Sequence, residues 1–126
     1  MTTEIRTYTL ATAAALDAYA TVHWQRHIPS LAKYGITTHR VFKELAGVHG
    51  MTGPPGAPPA PPAPPPAPQY RLVAIVSYQP GADPAAVTKT YMTSPEFRAD
   101  MAGFDMSGIV GVSSVFVEAA ASDPNA

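Results

Sequence analysis

The chain contains no cysteine, and this absence removes several kinds of chemistry. Disulfide bonds, thiolate metal sites and cysteine nucleophiles are all excluded. Charged residues are also scarce: eight basic and nine acidic residues leave a formal net charge of −1, and there is no run of basic residues. A nucleic-acid-binding surface depends on clustered Lys and Arg, so we expect no nucleic-acid partner.

Long apolar runs are missing as well. No segment approaches the ~20 consecutive apolar residues of a transmembrane helix, so we expect no membrane association. The first residues, MTTEIRTYTL, lack the basic region and apolar core of a secretory leader. These absences favour a cytoplasmic protein. The length of 126 residues corresponds to one domain, which we place at residues 1–126.

Proline, by contrast, is concentrated in one segment. Ten of the 15 prolines lie between Pro54 and Pro68, within an insert at residues 46–69. Proline has no backbone N–H, so this insert cannot pair in a sheet, and extended polyproline II or disordered chain is expected. It is either a surface loop expanded by a repetitive tract, a lid over a pocket, or a ligand for a proline-binding partner domain.

The segment from Leu16 to Tyr34 has the spacing of one amphipathic helix. Thr12 is a candidate N-cap, Gly35 is a candidate C-cap, and Pro29 predicts a kink inside the helix. The core-facing stripe consists of Leu16, Tyr19, Ala20, His23, His27, Leu31 and Tyr34. Two histidines in the middle of this stripe are either hydrogen-bonded inside an apolar core or line a cavity under the helix.

The remaining segments complete a familiar order of elements. Alternation and β-branched residues predict strands over residues 4–10, 36–45, 70–79 and 109–118, and capping signals predict helices over residues 84–92 and 95–102. Strand, helix, strand, strand, helix, strand is the α+β order of the ferredoxin-like fold, with helices on one face of a four-stranded antiparallel sheet. Three strands are apolar on both faces, so we expect a second copy to cover the open face as a dimeric α/β barrel.

Several sequence blocks follow the pattern of a known family: EIRTYTL at 4–10, LDAY at 16–19, HIPSLAKYGI at 27–36, YRLVAIVSY at 70–78 and SPEFRADMAGF at 94–104. The chain thereby resembles the NIPSNAP-like family within the dimeric α/β-barrel superfamily, and the proline-rich insert departs from that pattern. The resemblance implies a cytoplasmic homodimer of mostly undefined activity. Members of the wider superfamily resemble cofactor-free monooxygenases, haem-binding enzymes, isomerases, cyclases and lyases. The fold alone does not show which of these activities the chain has.

The two histidines of the helix, His23 and His27, are four residues apart and project to the same side. Three interpretations are open: a hydrogen-bonded core pair, acid–base catalysis in a pocket between helix and sheet, or ligation of a metal or haem. A metal site needs a third ligand. The candidates His39, Asp100 and Asp105 are not placed by any motif.

The first strand adds Arg6 and Tyr8, which share one of its faces. They either pair with a carboxylate across a dimer interface, such as Glu118, or serve a substrate. In the second case Arg6 holds an anionic group and Tyr8 acts in catalysis by donating a hydrogen bond to an oxyanion. Further candidates for substrate-binding walls are Tyr19, Trp24, Tyr34 and His39.

The function expected from these residues is that of a small-molecule enzyme of bacterial secondary metabolism. His23 and His27 would act as base and proton shuttle, without a bound organic cofactor. An isomerase, cyclase or lyase step, or cofactor-free monooxygenation, on an aromatic or polyketide-like substrate fits this expectation. The alternatives are a non-catalytic module that binds a ligand or partner through the proline-rich loop, and a haem-binding barrel protein.

Overall fold

Four β-strands form the antiparallel sheet that the sequence predicts. The computed structural model describes residues 1–45, 53–56 and 69–125. Its strands are β1 (Thr2–Leu10), β2 (Ile36–Lys43), β3 (Tyr70–Tyr78) and β4 (Ile109–Val117), in the spatial order β2-β3-β1-β4. Every neighbouring pair is antiparallel. The ferredoxin-like α+β fold is therefore confirmed, and each strand ends within two residues of its predicted limits.

The long N-terminal helix is present, but it is not α-helical throughout. It consists of α1 (Ala13–Ala18), a π-helical turn (Tyr19–His23) and α2 (Trp24–Lys33). The Thr12 side chain accepts a hydrogen bond from the Ala15 amide and caps the start, and Gly35 ends the helix with φ near +79°. Both predicted caps are thus confirmed, because a positive φ suits glycine and a short hydroxyl side chain suits an N-cap.

The irregularity in this helix lies before Pro29 rather than at it. The helix α2 continues through Pro29, whereas the Trp24 amide bonds to the Tyr19 carbonyl five residues back. A π turn holds one more residue than an α turn. His23 and Trp24 are both buried although they are consecutive, whereas a regular helix would turn Trp24 to the edge of the stripe.

Two shorter helices follow β3 and complete the helical layer. They are α3 (Pro84–Met92), capped by Asp83, and α4 (Pro95–Asp100), capped by Ser94. Both caps were expected from a cap residue followed by proline, which suits the first helical position. A 3-10 turn at Met106–Gly108 then leads into β4.

The two faces of the sheet differ sharply in burial. The helices cover the face that carries Leu72, Ala74 and Val76, each 0% exposed. On the open face Ile75 is only half-buried and Val115 is 54% exposed. A single chain therefore buries the centre of one sheet face and leaves apolar side chains of the second face to solvent.

Most of the predicted proline-rich insert lies outside the described residues; only residues 53–56 and Gln69 belong to them. No helix within the described ranges has both the length and the apolar character needed to cross a membrane. The cytoplasmic location stays a prediction.

Candidate functional site

A cavity of about 230 Å³ lies between the helices and the β1–β4 side of the sheet. Its lining includes five of the residues singled out from the sequence: Arg6, Tyr8, Tyr19, Trp24 and His27. The other lining residues are Leu31, Tyr91, Met92, Phe97, Met101, Met106, Ile109 and Val112. Met92, Met106 and Val112 are more than half exposed, so they mark the mouth of the cavity beside the edge strand.

The other predicted site residues lie elsewhere. His23 is buried, but its Nδ1 donates to the Asp100 carbonyl at 2.8 Å, and it does not line the cavity. Tyr34 donates to a Glu96 carboxylate oxygen at 2.9 Å. His39 lies on the exposed side of β2, with Nε2 2.7 Å from the Ser77 hydroxyl. The structure therefore brings together five of the eight predicted residues and leaves these three outside.

One group of buried polar residues connects α2, α3 and α4, and we call it the helix cluster: His23, His27, Ser30, Tyr91 and Asp100. The Tyr91 hydroxyl donates to Asp100 Oδ2 at 2.7 Å and is also hydrogen-bonded to His27 Nδ1. Ser30 donates to the other carboxylate oxygen of Asp100 at 3.1 Å. Both oxygens of the Asp100 carboxylate thus have partners, as buried charges require.

This hydrogen-bond order determines which nitrogen of His27 carries the proton. Tyr91 has a single hydroxyl proton, which goes to Asp100, so His27 must donate from Nδ1. His27 Nε2 then bears a lone pair, and no described residue hydrogen-bonds it. Because His27 lines the cavity and its Nδ1 side is occupied by Tyr91, this lone pair is the basic atom available to a ligand.

Burial keeps the His27 imidazole neutral. It lowers the pKa of His27 to about 4, and the nearby Asp100 carboxylate only partly opposes that shift. Burial also raises the pKa of Tyr91, and its hydrogen bond to Asp100 adds to the effect. At neutral pH the cavity therefore holds an uncharged base supported by a tyrosine hydroxyl and a carboxylate.

The sequence pattern does not single out Tyr91, and it favours a cap or a solvated charge for Asp100, with metal ligation as the alternative. One signal was available: Asp100 is the last residue of α4, and a carboxylate at a helix C-terminus is electrostatically unfavourable unless other groups stabilise it. The hydroxyls of Tyr91 and Ser30 supply that stabilisation. Tyr91 itself gave no signal, because its role depends on how α3 packs against α2.

A second buried group lies on the sheet side, and we call it the sheet cluster: Glu4, Arg6, Tyr78 and Thr88. Arg6 donates from Nε to Glu4 at 2.6 Å, and from one terminal nitrogen to Tyr78 at 2.6 Å and Thr88 at 3.1 Å. Burial raises the pKa of Glu4, but the hydrogen bonds from Tyr78 and Arg6 outweigh this, so the net pKa is lowered.

The carboxylate partner of Arg6 is therefore Glu4, two residues earlier on the same strand. Pairing with Glu118 across a dimer interface stays a prediction. Arg6 and Glu4 both lie on the helix-covered face of β1, where alternate residues project to the same side.

Three aromatic side chains of the cavity wall, which we call the aromatic donors, are Tyr8, Tyr19 and Trp24. Their ring centroids lie 5.3–6.3 Å apart and their rings meet edge to face. The indole Nε1–H of Trp24 is buried without a hydrogen-bond partner. The Tyr8 hydroxyl accepts a long bond of 3.4 Å from Arg6.

The part of the chain that the structure describes contains no group of three or more His, Asp or Glu side chains placed to hold a metal ion. Of the third-ligand candidates, Asp105 instead accepts from the backbone and side chain of Ser107, where it caps the 3-10 turn. The arrangement thus offers an acid–base group and hydrogen-bond donors around an apolar space.

Comparison with known proteins supports the fold. No protein-family model matches the chain, and no curated protein matches it. The crystal structure of an uncharacterized NIPSNAP domain protein from Burkholderia xenovorans is similar, with a TM-score of 0.63 and 17% sequence identity over 98% of this chain and 99% of that one. Similarity at this level of identity shows the fold, and it confirms the fold that the sequence blocks imply.

Proposed function

We propose that this chain, with its NIPSNAP-like fold, is a small-molecule enzyme in which His27 acts as a general base without an organic cofactor. The observation that carries the proposal is the state of His27. It is neutral, it is held at Nδ1 by Tyr91, and its Nε2 lone pair is available in a mostly apolar cavity.

The reaction begins with transfer of a substrate proton to His27 Nε2. The electron pair left behind moves onto a substrate oxygen, and the new imidazolium is stabilised by Asp100 through Tyr91. An isomerase or cyclase returns that proton elsewhere on the substrate, and a lyase returns it to the fragment that leaves. In a cofactor-free monooxygenase the electron-rich anion instead reduces dioxygen, so that one oxygen atom enters the product and the other leaves as water. All of these reactions share the first proton transfer, so His27 is needed in each.

Proton exchange tests this first step without knowledge of the natural substrate. Phenylacetone in D₂O exchanges its α-protons slowly, and proton NMR follows the loss of their signal. The wild-type protein is expected to accelerate exchange, and His27→Gln is expected to remove the acceleration. Glu44→Ala, in an exposed ion pair outside the cavity lining, is the control that should retain it. Equal rates for wild type and His27→Gln would contradict the assignment and favour a non-catalytic binding module.

The working unit in this proposal is a homodimer joined through the open sheet faces. What supports it is the apolar surface that the single chain leaves uncovered, including Phe42 at 40% and Val115 at 54% exposure. Light scattering coupled to size exclusion should give twice the chain mass. Val115→Asp should reduce that mass to one chain, and a wild-type monomer at micromolar concentration would contradict the dimer.

A further inference from the structure

We infer that the cavity binds a one-ring compound carrying a delocalised oxyanion, a phenolate or an enolate, with its oxygen against the aromatic donors. The inference rests on the proposed function for the fate of the proton, but the binding it describes can be measured without turnover. Three features of the cavity support it: its volume, the hydrogen-bond donors in its lining, and the charge of Arg6, which Glu4 already balances.

Size limits the substrate to about one ring. A protein cavity of about 150 Å³ is sufficient to hold benzene. The cavity here is about 230 Å³, which accommodates a single ring with a short substituent. Two or three fused rings would have to extend through the mouth beside Met92 and Met106. The polyketide-like substrates considered from the sequence are therefore narrowed to their smallest members.

The aromatic donors lie next to one another in the cavity lining. Leu31, Phe97 and Met101 supply apolar walls, whereas the aromatic donors bring two hydroxyls and an indole N–H to the lining. Trp24 is only 2% exposed and its Nε1–H has no acceptor, which is costly for a buried donor. A ligand oxygen against the Tyr8 and Tyr19 hydroxyls would accept from both, with the buried indole N–H of Trp24 beside them.

The charge of Arg6 indicates what kind of oxygen this is. Glu4 already pairs with Arg6 Nε, and Tyr78 and Thr88 accept from one terminal nitrogen, so only the other terminal nitrogen faces Tyr8. A phosphate or carboxylate would require an unpaired cation. A delocalised oxyanion is satisfied by several neutral donors beside a largely compensated guanidinium, which is the arrangement that stabilises charge developing during proton abstraction.

The test uses three matched probes: 4-cyanophenol, its methyl ether 4-methoxybenzonitrile, and the two-ring 6-cyano-2-naphthol. Calorimetry gives their affinities above and below the pH at which the phenols ionise. Trp24 is the only tryptophan, so its fluorescence reports whether a probe occupies this cavity. We expect ionised 4-cyanophenol to bind at least tenfold more tightly than the methyl ether and than the naphthol, with a change in Trp24 emission.

Variants locate the oxygen. Tyr8→Phe and Tyr19→Phe are each expected to weaken ionised 4-cyanophenol about tenfold, the effect of one hydrogen bond to a charged group, while Tyr70→Phe leaves affinity unchanged. Equal affinity for phenolate and methyl ether, or unchanged affinity in both tyrosine variants with circular dichroism intact, would overturn the inference. The His27→Gln variant should still bind the phenolate although it no longer accelerates proton exchange. The two measurements therefore test separately whether His27 is the base and whether the cavity binds oxyanions.

Discussion

The sheet cluster and the helix cluster each include a residue of the same helix, α3, yet they are organised differently. In the sheet cluster the charge of Arg6 is matched by Glu4 and further hydrogen bonds come from Tyr78 and Thr88. In the helix cluster the chain of hydrogen bonds ends at His27, whose second nitrogen has no partner among the described residues. The open end lies on the cavity, and this difference, rather than burial itself, marks the site.

The comparison predicts two separate roles. A closed cluster of matched charges mainly affects stability, because removing one partner strands the other in an apolar environment. An open cluster sacrifices some stability to keep a functional group unpaired and in a fixed orientation. Substitutions in the two clusters should therefore differ in what they change as well as in how much.

The largest effect on stability is expected from Glu4→Leu. It leaves the Arg6 guanidinium buried without a carboxylate, and the free energy of unfolding should fall by about 3–5 kcal/mol in urea denaturation. Replacing both partners, in Glu4→Leu/Arg6→Met, should recover most of the loss. If the double variant is as unstable as the single one, the pair is not a closed unit.

An exposed ion pair provides the control for this prediction. Glu44 and Arg71 form a bidentate pair, but their side chains are 28% and 41% exposed. Glu44→Ala should lower the free energy of unfolding by less than about 1 kcal/mol, because solvent screens such pairs.

Acid should weaken the fold through the helix cluster. Burial lowers the pKa of His27 to about 4, against about 6.5 in the unfolded chain, so the unfolded state binds the extra proton first. The stabilisation is complete above about pH 6.5 and is lost as pH falls toward 4, by about 3 kcal/mol in total. Urea denaturation between pH 7 and 4.5 measures this slope.

His27→Gln isolates the contribution of the imidazole. This variant should flatten the pH dependence of the free energy of unfolding between pH 7 and 4.5. Glu4 contributes little there, because a carboxyl pKa lowered from 4.5 changes stability only below about pH 4.5. An unchanged slope would show that His27 is not neutral and buried as described. The sheet cluster should reveal itself only at lower pH, as the Glu4 carboxyl becomes protonated.

The sequence was informative wherever the signal was local. Thr12, Asp83 and Ser94 were predicted as caps from their own neighbours and are caps in the structure. The helix-facing side of β1 was also readable, because alternation places Glu4 and Arg6 together. That spacing of two is the local signal for the Arg6–Glu4 ion pair that the structure shows.

The features that the sequence did not predict depend on long-range packing or on rare backbone geometry. The π turn at Tyr19–His23 adds a residue to one turn and moves Trp24 into the cavity, and the 3.6-residue periodicity cannot represent that insertion. Asp100 meets Ser30 from 70 positions away along the chain. Which histidine faces a cavity was therefore beyond a wheel projection, and only His27 does.

The next largest loss of stability is expected from Asp100→Ala, which also changes the tautomer of His27. Asp100→Ala removes the acceptor of the Tyr91 hydroxyl, so that hydroxyl is expected to donate to His27 Nδ1 and move the imidazole proton to Nε2. Nitrogen-15 NMR of the imidazole distinguishes the two tautomers, and stability should fall by about 2 kcal/mol. An unchanged Nδ1–H tautomer in a folded variant would show that Asp100 does not orient the base.

The smallest effects come from a single hydroxyl in each cluster, and they test whether the clusters are independent. Ser30→Ala removes a donor to Asp100, and Thr88→Val removes a partner of Arg6, so each should cost about 1 kcal/mol. Only Ser30→Ala should also shift the His27 nitrogen-15 signals, because only Ser30 belongs to the helix cluster. The double variant should be additive within about 0.5 kcal/mol if the clusters share a helix but no hydrogen bonds. A larger interaction energy would mean that α3 couples them, and the closed cluster would then help to set the position of the base.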